Sequence, residues 1–199
     1  MSYFTPASSA SSYLYKLDLH GRYYRPTSVG NLYAGGNQAV VTTALTAGLP
    51  TAYTGGLILY NPLTSTVNLA LNGVGVIFTV AQTNAAAISL GVFYSATTAV
   101  TGTLTTLVSN NQLVGSSNTA QGLLYSQASA TLPAAPYIAR LLKTVDTGAL
   151  TTTVNGGEEL IDLGGSIILQ PGAGACILST ATGTASSFLA SFVWEEIPA

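Results

Sequence analysis

The plainest pattern of apolar and polar positions lies near the end of the chain. From Phe188 to Glu195, one alternating set holds Phe188, Ala190, Phe192 and Trp194, and the other holds Leu189, Ser191, Val193 and Glu195. A strand sends successive side chains to opposite faces, so this period of two predicts a β-strand with an aromatic inner face. Two further runs, Ser166 to Gln170 and Cys176 to Thr180, flank Pro171-Gly172-Ala173-Gly174. Proline presets φ and glycine supplies positive φ, so the cluster reads as a turn between strands.

Upstream the same grammar repeats. Gln38 to Leu45 is rich in Val and Thr, and Gly55 to Tyr60 is an apolar run stopped by Asn61-Pro62, a strong turn signal. Val67 to Val80 changes phase in its middle: Val67, Leu69 and Leu71 are apolar at odd positions, and Val74, Val76, Phe78 and Val80 at even ones. One extra residue flips the faces of a strand, so a β-bulge is expected near Gly73 to Gly75. Ile88, Leu90, Val92 and Tyr94 mark another strand. Thr97 to Thr119 is polar, with Asn110-Asn111 at the turn of an expected small hairpin and outer tip. Gly122 to Ser126 is a short run, Leu132-Pro133-Ala134-Ala135-Pro136 a stiff connector, and Ile138 to Val145 a strand carrying Arg140 and Lys143. No stretch combines helical periodicity with capping signals, and no fixed repeat argues for a propeller or solenoid. The pattern predicts an all-β protein, an antiparallel β-sandwich of about eight strands.

Residues 1–36 differ. Tyr13, Tyr15, Tyr23 and Tyr24 occur there with Arg22, Arg25 and the single histidine, His20. Tyrosine and arginine are enriched at protein interfaces. The chain is therefore divided into an extended N-terminal arm, 1–36, and a sandwich domain, 37–199. Tyr13, Tyr15, Arg22, Tyr23, Tyr24 and Arg25 are the candidate contacts to a neighbouring subunit. On this division, residues 1–36 can be removed with the β fold intact.

Composition sharpens the picture. Hydrophobic residues make up 48% of the 199 and charged residues only 6%, against roughly 25% in ordinary soluble domains. Such a chain covers itself with hydroxyls and amides, or with partner chains. Five Lys and Arg and a net charge of −2 provide no field for nucleic acid. No segment is long and apolar enough to cross about 30 Å of hydrocarbon as a helix, and no basic, apolar leader opens the chain. No membrane partner is expected.

Catalytic chemistry is poorly supplied. His20 is the only histidine, with Asp18 nearby, and Cys176 the only cysteine, which excludes a zinc site of nitrogen and sulfur ligands within one chain. No Gly-x-Ser-x-Gly elbow or phosphate-binding loop occurs. Glu158, Glu159 and Asp162 form an acidic group that could hold a cation but lacks the spacing of a calcium loop. Glu195 and Glu196 are read as the polar end of the last strand. No enzyme, no catalytic residue, no metal and no cofactor is predicted.

Several segments in order along the chain resemble tailed-bacteriophage virion proteins: Gly21-Arg22-Tyr23-Tyr24, Gly30-Asn31-Leu32-Tyr33, the run from Tyr53 to Pro62, Leu132 to Pro136, Gly165 to Gly172, and Trp194-Glu195-Glu196-Ile197-Pro198. The resemblance implies a jelly-roll-like capsid decoration (cement) protein, located on the virion surface. It further implies a homotrimer bound to the major capsid protein, stabilising the shell from outside. A tail or fibre component that binds a host receptor or glycan, through Tyr94, Tyr125 or Tyr137, is the alternative. The resemblance supplies no catalytic residue.

Overall fold

The computed structural model describes residues 21–37, 41–42, 48–53, 56–80, 86–145, 159–180 and 187–199. After a one-turn helix, α1 (Tyr24–Ser28), the described chain is β structure throughout. The strands are β1 (Leu32–Gly36), β2 (Val41–Thr42), β3 (Ala52–Tyr53), β4 (Leu57–Tyr60), β5 (Val67–Val80), β6 (Ala86–Tyr94) and β7 (Thr101–Leu107). There follow β8 (Asn110–Asn111), β9 (Leu123–Thr131), β10 (Tyr137–Val145), β11 (Glu159–Leu169), β12 (Ala173–Ser179) and β13 (Ser187–Pro198).

Two antiparallel sheets form. The first runs β11-β5-β13-β1-β8, with β2 also on β13; the second runs β10-β6-β12-β4-β9-β3, with β7 also on β9. Four pairs are nested about a common centre: β4 with β12, β5 with β11, β6 with β10, and β7 with β9. That is the pairing of a long hairpin rolled up, the jelly-roll principle. The innermost pair, β7 and β9, joins the second sheet beside β4, and β13 and β1 extend the first sheet in its place.

The core lies between the sheets and follows the alternation. Leu57 and Leu59, Ile88 and Leu90, Ala175 and Ile177, Phe192 and Trp194 all face it and are buried. The second sheet is apolar on its other face as well, where Ile58, Tyr60, Phe93, Cys176 and Leu178 pack with Tyr53, Val100, Ala130 and Leu132 in a separate cluster. This explains why β4 and β12 are buried at every position. A strand covered on both faces reads as a continuous apolar run rather than an alternation.

The phase change in β5 is a bulge. Val193 pairs with Gly73 and Trp194 with Leu71, leaving Asn72 as the extra residue. The same residue interrupts the pairing with β11, between Asp162 opposite Gly73 and Ile167 opposite Leu71. Leu69, Leu71, Val74, Val76 and Phe78 are all buried as a result. Asn61 does more than end β4: its Nδ2 donates to the Val67 carbonyl at 2.7 Å and the Leu169 carbonyl at 2.9 Å, tying the start of β5 to the end of β11.

Three expectations are corrected. The turn before β12 is narrower than four residues, Gly172 taking φ 88° while Ala173 and Gly174 already belong to the strand. Asn110 and Asn111 are not the turn of a local hairpin. They form β8 and pair with Ala34 and Tyr33, while β7 pairs with β9. Residues 32–36, assigned by composition to the arm, are β1, paired with β13 from Leu32 opposite Glu195 to Gly36 opposite Ser191. Leu32 and Tyr33 are buried, so these tyrosine-flanked residues are sheet, not arm.

Candidate functional site

Of the six candidate contact residues, Tyr13 and Tyr15 lie outside the described residues, as do His20 and Glu158. Arg22 and Tyr23 come together at Asp162. The Arg22 guanidinium makes an ion pair with the Asp162 carboxylate and donates to the Tyr23 hydroxyl at 2.7 Å. That hydroxyl donates to Asp162 Oδ1 at 2.7 Å. The Gly164 amide, in the segment where β11 bulges, donates to the same oxygen at 2.9 Å. The guanidinium also lies 4.7 Å from the Tyr23 ring centroid. The Tyr23 hydrogen bond foremost, with the Arg22 charge, holds the Asp162 carboxyl below the usual carboxylate range. Both charged side chains remain more than half exposed, at 53% and 59%. Asp162 therefore sits in a surface latch that fastens the segment before α1 to β11, and its charge is already matched. Among the described residues no group of three or more His, Cys, Asp or Glu could hold a metal ion.

Tyr24 is at the edge of exposure, and Arg25 faces Glu195 on β13. Burial pushes the Glu195 carboxyl up, and the Arg25 charge partly offsets this. Cys176 is fully enclosed, and burial pushes its thiol far up, the opposite of what a nucleophile needs.

Glu196 was expected at the wet end of the last strand and is instead buried. Its carboxylate accepts from the Gln121 amide at 2.9 and 3.1 Å, from the Gly122 amide at 2.9 Å and from the Trp194 indole at 3.3 Å. Nothing near Glu196 in sequence announces this, because two of its donors are backbone groups some seventy positions away.

The surface offers a different kind of site. The first sheet ends in β11 and the second in β10, and these two edge strands pack side by side. On this side of the sandwich Ile138 (43% exposed), Leu141 (68%) and Leu160 (66%) face outward. Beside them a groove of about 430 Å3 opens between the sheets, with Tyr94 and Tyr137 from the second sheet and Asn68, Ile168 and Gln170 from the first among its walls. Tyr125, the third aromatic singled out by sequence, packs against the second apolar cluster instead, and burial raises its hydroxyl pKa.

Comparison with known proteins finds no matching family, no matching curated protein and no matching solved structure.

Proposed function

We propose that the protein is a structural component of a bacteriophage virion. In this reading it is a decoration or cement protein that binds the outside of the head as a trimer and stabilises the shell. The observation that supports the reading is the β10–β11 side. Ile138, Leu141 and Leu160 are exposed there at the rim where both sheets end, and a solitary soluble domain rarely leaves a contiguous apolar patch of this kind. Covering it with another chain suits a protein with only 6% charged residues.

The contact runs through side chains rather than by strand addition. Two register shifts, between Ile138 and Arg140 and between Leu141 and Lys143, break the outer line of β10, and Arg140 on that edge is exposed. Bulges and edge charges are how sheets discourage open-ended pairing. Obligate partners of this type bury apolar faces between chains.

The test is the mass of the purified protein by light scattering, followed by co-sedimentation with phage heads assembled without it. A trimer that sediments with heads is expected, and the double variant Leu141→Glu, Leu160→Glu is expected to lose association while keeping its β circular dichroism. A wild-type monomer that stays in the supernatant would end the proposal.

A further inference from the structure

We infer that the groove between β6, β10 and β11 is a binding site for a neutral oligosaccharide. Tyr137 pairs with Val92 across the β10–β6 ladder. Directly paired residues share a face, and so do residues two apart on one strand. Tyr137 and Tyr94 therefore stand on the same face, as diagonal neighbours roughly 7–8 Å apart at the backbone. Val92 continues that face into the core at 5% exposure, whereas Tyr94 is 47% and Tyr137 64% exposed. The row of inward side chains thus runs out of the core and ends in two open phenol rings. Across the gap stand Asn68, from the start of β5, and Gln170, just after β11.

The chemistry of these walls selects the ligand. Aromatic faces take the apolar C–H faces of sugar rings, and carboxamides offer both donor and acceptor to ring hydroxyls. Among the described residues, neither the Asn68 nor the Gln170 side chain has a hydrogen-bond partner. No charged residue lines the groove, so nothing there recognises a carboxylate, sulfate or phosphate. Its volume of about 430 Å3 falls within the usual range for small-molecule sites. Two tyrosines keep little rotamer freedom to lose on binding, which favours rings as pre-ordered platforms. A peptide would leave the amides serving one backbone only where its register allowed. A second copy of this chain would bring few hydroxyls of its own to two tyrosines and two amides. This inference does not depend on the shell-binding reading and holds equally for a protein of a tail or fibre.

The experiment is a glycan array of neutral oligosaccharides built from hexoses and N-acetylhexosamines, with sialylated and sulfated members alongside. Titration calorimetry on the strongest neutral member follows. Binding to neutral members is expected, weakened about tenfold or more by Tyr137→Ala and by Tyr94→Ala, since loss of an aromatic contact of this kind is worth roughly a tenfold change. Gln170→Ala should weaken it less, and Val114→Ala, on a remote and 94% exposed side chain, should not change it. Thermal melting confirms that each variant is folded. The inference is overturned by silence across the neutral members at millimolar sugar, by preference for the charged members, or by binding unaffected in both tyrosine variants. It is overturned too if Tyr137→Ala changes the mass of the protein in sugar-free buffer, which would make the groove a contact between copies. None of these results touches co-sedimentation with heads, so the two readings fail separately.

Discussion

Trp194 and Glu196 face the same side of the last strand, and the indole Nε1 donates to Glu196 Oε1 at 3.3 Å inside the fold. Trp194 is fully buried and stacks on Tyr33 of the neighbouring strand at 6.0 Å and 25°. The carboxylate next to it gathers the amides of Gln121 and Gly122, so the loop leading into β9 is fastened to the end of the first sheet. Gly122 is suited to the place: a Cβ there would come within 2.9 Å of Leu69 and 3.2 Å of the indole nitrogen.

Replacing Glu196 with Ala should destabilise the fold by about 3 kcal/mol. The variant leaves two backbone amides and an indole N–H without their acceptor, and a buried unpaired donor costs about 1–3 kcal/mol. Glu196→Gln keeps one acceptor oxygen and should fall between the two. Urea unfolding followed by tryptophan fluorescence reads both, with equal midpoints for wild type and Glu196→Ala as the result that defeats the assignment.

Trp194→Ala should cost about 3–5 kcal/mol, the usual range for emptying an aromatic site in a core. Trp194→Phe should cost distinctly less because a ring still covers Tyr33. A near-neutral Trp194→Ala, measured by denaturant unfolding, would contradict the buried stack.

What the sequence revealed and what it hid follow one division. Period two along a single strand is local, so the faces of β13 and the phase change of β5 were legible, the latter misplaced by only one residue at Asn72. Partners across the fold are not local. Asn110 and Asn111 look like turn residues because they favour turns, yet β1 pairs with them. Leu32 and Tyr33 were grouped with a tyrosine-rich arm because composition cannot tell an aromatic that anchors a neighbour from one that stacks on the protein's own Trp194. Glu196 looked solvated because its donors arrive from a distant loop. The groove escaped for the same reason: Tyr94 and Tyr137 were visible as aromatics, but Asn68 and Gln170 join them only when the sheets stack.

The Asp162 latch predicts a small pH effect with a definite direction. The folded protein holds this carboxyl below its ordinary value of 3.8. A depressed acid favours the folded state above its unfolded pKa, and the contribution fades as pH falls through the lower, folded-state value. Both partners are more than half exposed, so water screens the pair and the effect is modest. The difference in urea midpoint between wild type and Asp162→Asn should be steady from pH 7 to pH 5 and close below pH 3.8. A difference that widens on acidification would contradict the assignment.

Removing residues 1–36 should abolish the fold, whereas removing residues 1–20 should not. The longer deletion takes away β1, every residue of which pairs with β13. It also uncovers the face of Trp194 on which Tyr33 stacks. Burial of Leu32 and Tyr33 is worth about 1.5–3 kcal/mol each, the aromatic pair adds about 0.5–1.5 kcal/mol, and each ladder hydrogen bond roughly 0.5–1.5 kcal/mol. Together these approach the whole stability of a typical domain, about 5–15 kcal/mol. The shorter deletion stops before Gly21 and retains α1, β1 and the Arg22–Asp162 pair. Near-ultraviolet circular dichroism and thermal melting distinguish the two: a cooperative transition is expected for the 1–20 deletion and none for the 1–36 deletion. A 1–36 deletion that melts cooperatively would show that β13 holds its place without β1, and would return residues 32–36 to the arm.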